Sequence, residues 1–144
     1  MNTAIVGIPS TQLADCWNGI KHMVTDACTH SNGKYEAIDI LHALLREHMQ
    51  LWAIVGETGI SAIVISEIVN YPRIREFRIL ATTGEGMSDW LHHLAALENW
   101  ARSQGCQASE AIARPGWEKV LKSENYKRTH IILNKSLGSS ETMQ

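Results

Sequence analysis

Apolar positions along this chain follow two periods, and between Arg75 and Gln104 one period gives way to the other. Phe77 to Ala81 reads as a short strand, and Thr82-Thr83-Gly84-Glu85-Gly86 follows as a glycine-containing turn. Beyond it Trp90, Leu91, Leu94, Leu97 and Ala101 recur at three- and four-residue spacing, the period of one helix face. The pattern predicts a helix over 88–104. Ser88 or Thr83 can cap its first turn, and Asp89 suits the positive end of its dipole. A strand, a glycine turn and a helix N-terminus can together bind an anion, because the first amides of a helix have no partner within it. Two glycines after a strand equally make a plain tight turn.

The remaining elements read in order. Thr3 to Ile8 is a first strand, closed by Pro9, and Ser10 and Thr11 can cap a helix whose broad apolar face is Leu13, Cys16, Trp17, Ile20, Val24 and Cys28. Ser31-Asn32-Gly33 ends it with turn chemistry. A second helix is expected from about Glu36 to His48, burying Ile38, Leu41, Leu44 and Leu45. Leu51–Val55 and Ile60–Val69 flank Gly56-Glu57-Thr58-Gly59 and predict a β-hairpin. Tyr71-Pro72 breaks its second strand. After the 88–104 helix come a strand at Ala108–Ala113, a short helix from Pro115 through Ser123 anchored by a buried Trp117, and a final strand from Tyr126 to Leu133. This is an α+β pattern with a mixed, mostly antiparallel central sheet flanked by about four helices.

That order resembles the GNAT family of N-acetyltransferases over nearly the whole chain. In the family, the loop after the fourth strand carries Gln/Arg-x-x-Gly-x-Gly/Ala, and its amides hold the pyrophosphate of coenzyme A. The matching positions are Ala81, Gly84 and Gly86, so both glycines fit and the polar residue does not. The resemblance implies a pyrophosphate loop at Gly84, Glu85, Gly86, Met87 and Ser88. Glu85 opposes that role, since a carboxylate about 5 Å from a phosphate charge costs about 3 kcal/mol at an effective dielectric of about 20. Aligning Asn125-Tyr126 with a family Gly-Phe pair puts Leu121 where the family often has a general-acid tyrosine. The Arg114-Pro115-Gly116-Trp117 run also resembles small GNAT-like proteins of tailed phages.

Composition narrows the classes. A length of 144 residues is room for one domain, expected over 1–137, with a small polar tail at 138–144 expected to be mobile. A net charge of -2 offers no basic field for nucleic acid. No apolar run reaches the length of a membrane span, and the first residues lack a signal-peptide pattern. Three cysteines without paired spacing, Cys16, Cys28 and Cys106, suit a reducing cytoplasm.

Acyl transfer to an amine needs a general base and a proton for the leaving thiolate. Glu76 and Glu110, on the fourth and fifth strands, are the candidate carboxylates, and Tyr126 is a nearby candidate hydroxyl. The ordinary alternative is ion pairing of each glutamate with Arg75, Arg78 or Arg114. Arg73, Arg75 and Arg78 also form a basic cluster that could meet an acidic partner. His92 and His93 point about 100° apart on a helix and make no bidentate metal pair; no metal is expected. Ala81, Glu85 and Leu121 each remove a part of the family's machinery. The expected function is therefore a GNAT-fold protein that has lost catalysis and serves a structural or interaction role, in a virion or by self-association, with no cofactor. The alternatives are an acyl-CoA-dependent N-acetyltransferase using acetyl-CoA and a small-ligand binding domain using the same cleft.

Overall fold

The structure is a computed structural model that describes residues 2–84 and 87–138. Its backbone falls into two compact units, residues 1–112 and 113–144.

The first unit is built on a five-stranded sheet of order β1-β2-β3-β4-β5. β1 (Ala4–Ile8), β2 (Gln50–Gly56), β3 (Gly59–Asn70) and β4 (Arg75–Gly84) pair antiparallel in succession. β5 (Ala108–Ala111) pairs parallel with β4, as the intervening helix α3 (Met87–Ser103) requires. A mixed, mostly antiparallel sheet and, among the described residues of the chain, four α-helices make the α+β architecture expected from the sequence. The β2–β3 hairpin closes through Glu57-Thr58, with Gly56 opposite Gly59.

Two layers cover the sheet. On one side α1 (Leu13–Cys28) and α2 (Ala37–Leu45) pack a core of Leu13, Ile20, Val24, Ile40 and Leu44 against Leu51, Ile63 and Ile65. On the other, Trp100 of α3 sits edge-on to Trp52 and Phe77, with ring centroids 5.0 and 5.9 Å apart. Leu94 and Leu97 are buried as the apolar stripe of α3 predicts; the Trp90 side chain lies outside the described residues.

Several expectations need correction. Ser10 and Thr11 do not cap a helix; they form a 3-10 turn before α1. α2 is shorter than expected, and its buried stripe is Ile40 and Leu44, while Ile38 and Leu45 are about half exposed. Burial at four-residue spacing leaves the residues two before and one after on other faces of the helix. A capping box between Glu36 and Asp39 starts this helix, and Glu47 ends the turn after it with a positive φ of 61°.

β4 runs three residues past the strand expected at 77–81, so Thr82, Thr83 and Gly84 belong to the sheet and not to a loop. Backbone geometry explains Gly84. Its φ is 128°, and a Cβ there would lie 2.4 Å from the Ser61 carbonyl oxygen and 2.5 Å from the Ala62 Cα. Close approach of β3 therefore demands glycine at this position.

The second unit contains α4 (Pro115–Lys122), with Pro115 in its first turn where a missing N–H costs nothing. Leu121 is its buried residue; Trp117, expected to be buried, is only partly so. The strand expected at 126–133 does not form. That stretch has no regular structure, and Ile131, Ile132 and Leu133 are 65%, 76% and 87% exposed. A strand needs a backbone partner, and the β-branched run at 129–133 has none in any described ladder. The expected mobile tail from 139 onward lies outside the described residues.

Candidate functional site

The tight turn closed by the Tyr71 amide donating to the Ile74 carbonyl at 2.8 Å fixes the register of β3 against β4. That register puts Glu67 opposite Arg78 and Val69 opposite Glu76. Parallel pairing then places Ala108 beside Glu76 and Glu110 beside Arg78. Cross-strand neighbours share a face, so Glu67, Arg78, Glu110 and Glu76 form one polar patch. The β3–β4 register slips by one residue between Ile65 and Ser66, making Leu80 the extra residue on β4. Leu80 and Ala81 consequently both pack against the α1–α2 core.

Within the patch, the Glu76 and Glu110 side chains come close enough to hydrogen-bond when one of them carries a proton. Two carboxyls this close cannot both ionise at low cost. The hydrogen bond to Glu110 is the main reason Glu76 is pushed up to about 7; loss of hydration and the Glu110 charge add to it, and Arg78 opposes it. The Arg78 guanidinium holds three neighbours at once. Nη1 lies 3.5 Å from Glu67, Nε lies 3.6 Å from Glu110, and Nη2 donates to the Tyr71 hydroxyl. Its Nε is buried and has no hydrogen-bond partner among the described residues. A groove of about 1000 Å³ borders Glu67 at the end of the sheet, with Trp52, Trp100, Arg75 and Gln104 in its walls.

The two glutamates singled out from the sequence are thus brought together. The third candidate, Tyr126, belongs to the second unit, where its amide donates to the Leu121 carbonyl at 3.1 Å. Of the expected pyrophosphate loop, Gly84 is the end of β4, and Met87 and Ser88 open α3. Glu85 and Gly86 lie outside the described residues. Ala81 packs in the core, so no polar residue stands at that end of the loop pattern. Nearby, the Thr83 hydroxyl donates to Asp26 of α1 at 2.7 Å, tying the end of β4 to that helix.

Of the expected basic cluster, Arg75 and Arg78 are both engaged within the chain. Arg75 Nε donates to the Gln104 carbonyl at 2.8 Å and its Nη1 to Asn70 at 2.7 Å, while Arg78 belongs to the carboxylate patch. Among the described residues no group of histidine, cysteine and acidic side chains could hold a metal ion. His93 instead shares a 2.9 Å hydrogen bond with Thr3, linking α3 to β1. No described helix is long and apolar enough to cross a membrane.

Sequence reasoning missed Glu67 and Tyr71 as parts of the patch, and named Arg78 as one of three possible ion-pair partners of the glutamates. The signal was present: closing the hairpin at Tyr71–Ile74 already sets Glu67 opposite Arg78.

No family model matches the chain, and no curated protein does. Solved structures do match it. A predicted acetyltransferase from Clostridium acetobutylicum, solved with acetyl-CoA, is 13% identical with a TM-score of 0.67, over 94% of this chain and 97% of that one. A possible acetyltransferase from Clostridium difficile is 10% identical with a TM-score of 0.68, over 96% and 99%. Glucosamine-6-phosphate N-acetyltransferase from Arabidopsis thaliana is 13% identical with a TM-score of 0.66, over 96% and 100%. With a five-stranded, mostly antiparallel sheet and these neighbours along nearly its whole length, the chain has the GNAT acetyltransferase fold.

Proposed function

We propose that this protein is an acyl-CoA-dependent N-acyltransferase in which Glu76, paired with Glu110, is the general base. The observation that carries the reading is the facing carboxyl pair on adjacent parallel strands, with Glu76 raised to about 7. A base with that affinity accepts a proton near neutral pH and is still half ionised there. An ordinary surface glutamate is fully ionised but a much weaker base.

In the reaction, the acceptor nitrogen forms its bond to the acyl carbon and loses a proton, which Glu76 accepts. The bond from that carbon to sulfur breaks, and the electron pair leaves on the thiolate, which takes its proton from solvent. Leu121 is buried and has no proton to give, so the chain's own contribution lies on the base side. The groove beside Glu67 gives an acceptor room to approach the patch. Acetyl-CoA is the donor the fold suggests, because a structural neighbour is solved with it. The grip on its pyrophosphate would come from backbone amides at the start of α3, without help from Ala81.

The test is thiol release from acetyl-CoA over a panel of primary amines, with wild type and Glu76→Gln side by side. Turnover that falls about 10²–10⁴-fold in the variant supports the assignment. Acetyl-CoA binding without thiol release from any amine contradicts it.

A second reading keeps the fold without the chemistry. Ala81 in the core and Leu121 in place of a proton donor favour it. Under it the chain is a structural or interaction module, and the exposed Ile131, Ile132, Leu133 and Leu137 are the apolar surface it offers a protein partner. The virion role belongs to this reading.

A further inference from the structure

We infer that Arg78, held by Tyr71, is a positioning residue for the proposed reaction: it fixes the Glu110 carboxyl beside Glu76 and so governs how tightly Glu76 holds a proton. The inference rests on the acyltransfer reading for its functional meaning and on geometry for its substance.

The geometry is that of a clamp. Arg78 lies on β4 between two strands, opposite Glu67 of β3 and Glu110 of β5. Its guanidinium is planar, with donors in a fixed fork, so the direction of one arm dictates the others. Nη2 is held by the Tyr71 hydroxyl and Nη1 faces Glu67 at 3.5 Å. These two contacts leave Nε turned toward Glu110 Oε1 at 3.6 Å, inside ion-pair range and beyond a direct hydrogen bond. Nε is also the buried donor without a hydrogen-bond partner among the described residues. An unsatisfied charged donor is costly, and such groups persist where the surroundings over-determine them. Here the surroundings are Tyr71 and Glu67, which fix the arginine from the side away from the carboxyl pair.

The charged and titratable groups around the pair are Glu67 from β3, Tyr71 from the turn after it, Arg78 from β4 and Glu110 from β5, with Glu47, His48 and Arg75 in the wall of the groove that Glu67 borders. Arg78 is the cation among them in contact with Glu110, and it favours the ionised form of Glu76. Without it, two carboxyls would face each other with no cation between strands, and the proton would be held more tightly. Arginine also explains why a lysine would serve less well. An ammonium at the end of a flexible stem could meet Glu67 or Glu110, but it has no planar fork to span both.

The test reads Glu76 directly. Selectively labelled glutamate carboxyls are followed by nuclear magnetic resonance from pH 4 to 9, with Glu76→Gln identifying the signal. The expected result in Arg78→Gln is a Glu76 midpoint raised by about one pH unit or more, the range for loss of a neighbouring opposite charge. Arg78→Lys should recover part of that change. Tyr71→Phe, a mild substitution that leaves the ring, should raise the midpoint by less than Arg78→Gln and keeps the test open if Arg78→Gln does not fold. A Glu76 midpoint that stays in place in folded Arg78→Gln, or in Tyr71→Phe if that is the variant available, overturns the inference, whether or not wild type turns over. A raised midpoint in a protein whose wild type releases no thiol upholds the clamp and removes only the acyltransfer reading.

Discussion

Glu76 of β4 and Glu110 of β5 face each other diagonally across a parallel strand pair, with the Arg78 guanidinium 3.6 Å from Glu110. Each is unremarkable in the sequence. The parallel register brings them together: Glu76 lies opposite Ala108 and Glu110 opposite Arg78, a diagonal across two neighbouring strands. Such diagonal neighbours are within reach of long side chains.

This contact makes folding stability depend on pH. Glu76 is raised on folding from its ordinary 4.5 to about 7. A raised carboxyl stabilises the fold fully below its unfolded value, and that contribution is lost as pH rises through the folded value. The expected outcome is a fall in Glu76's contribution between about pH 4.5 and 7. Denaturant titrations at closely spaced pH values should show it in wild type and show it reduced in Glu76→Gln.

The second prediction concerns Gly84. Alanine there would place a methyl group 2.4 Å from the Ser61 carbonyl oxygen at a φ of 128°. Neither β3 nor β4 can yield without breaking a ladder contact. Gly84→Ala should destabilise by at least about 1–3 kcal/mol, the usual cost of a disallowed backbone conformation. Equal denaturation midpoints for variant and wild type would show that the strands separate there readily.

The third concerns the α3 face. Leu94 is 1% exposed. Leu94→Ala should cost about 2–5 kcal/mol in chemical denaturation, the range for truncating a buried leucine. A cost under about half a kilocalorie would mean that the cavity collapses or that the face is not core.

How much of this was legible follows from what each element depends on. α3, the β2–β3 hairpin and the order of strands rest on local periodicity and turn residues, and a single sequence carries both. Leu94 and Leu97 fell where the stripe put them. The length of β4 was not legible, because Thr82-Thr83-Gly84 reads as turn chemistry until β3 is set beside it. Gly84 then proves to answer a strand contact. The α2 stripe was misread by a shift of face, since Ile38, Ile40, Leu41, Leu44 and Leu45 offer more than one apolar face. The run at 126–133 has strand propensity and no ladder, and propensity without a partner does not make a strand. For the site, Glu76 and Glu110 could be named from their strands. Their approach, and the arginine beside it, depend on pairing between residues more than thirty apart.

The central claim is that the Glu76–Glu110 pair is the base. Its most direct test is the pH dependence of kcat/KM for amine acetylation, taken on wild type, Glu76→Gln and Glu110→Gln. Wild type should show a rising limb centred at about pH 7, the value at which Glu76 ionises. Replacing the Glu110 carboxylate by an amide removes its charge and leaves an N–H that can donate to ionised Glu76, so that limb should move toward lower pH in Glu110→Gln. In Glu76→Gln the rate should drop and the limb should vanish. A limb that stays near pH 7 in both variants, with little loss of rate, would contradict the account.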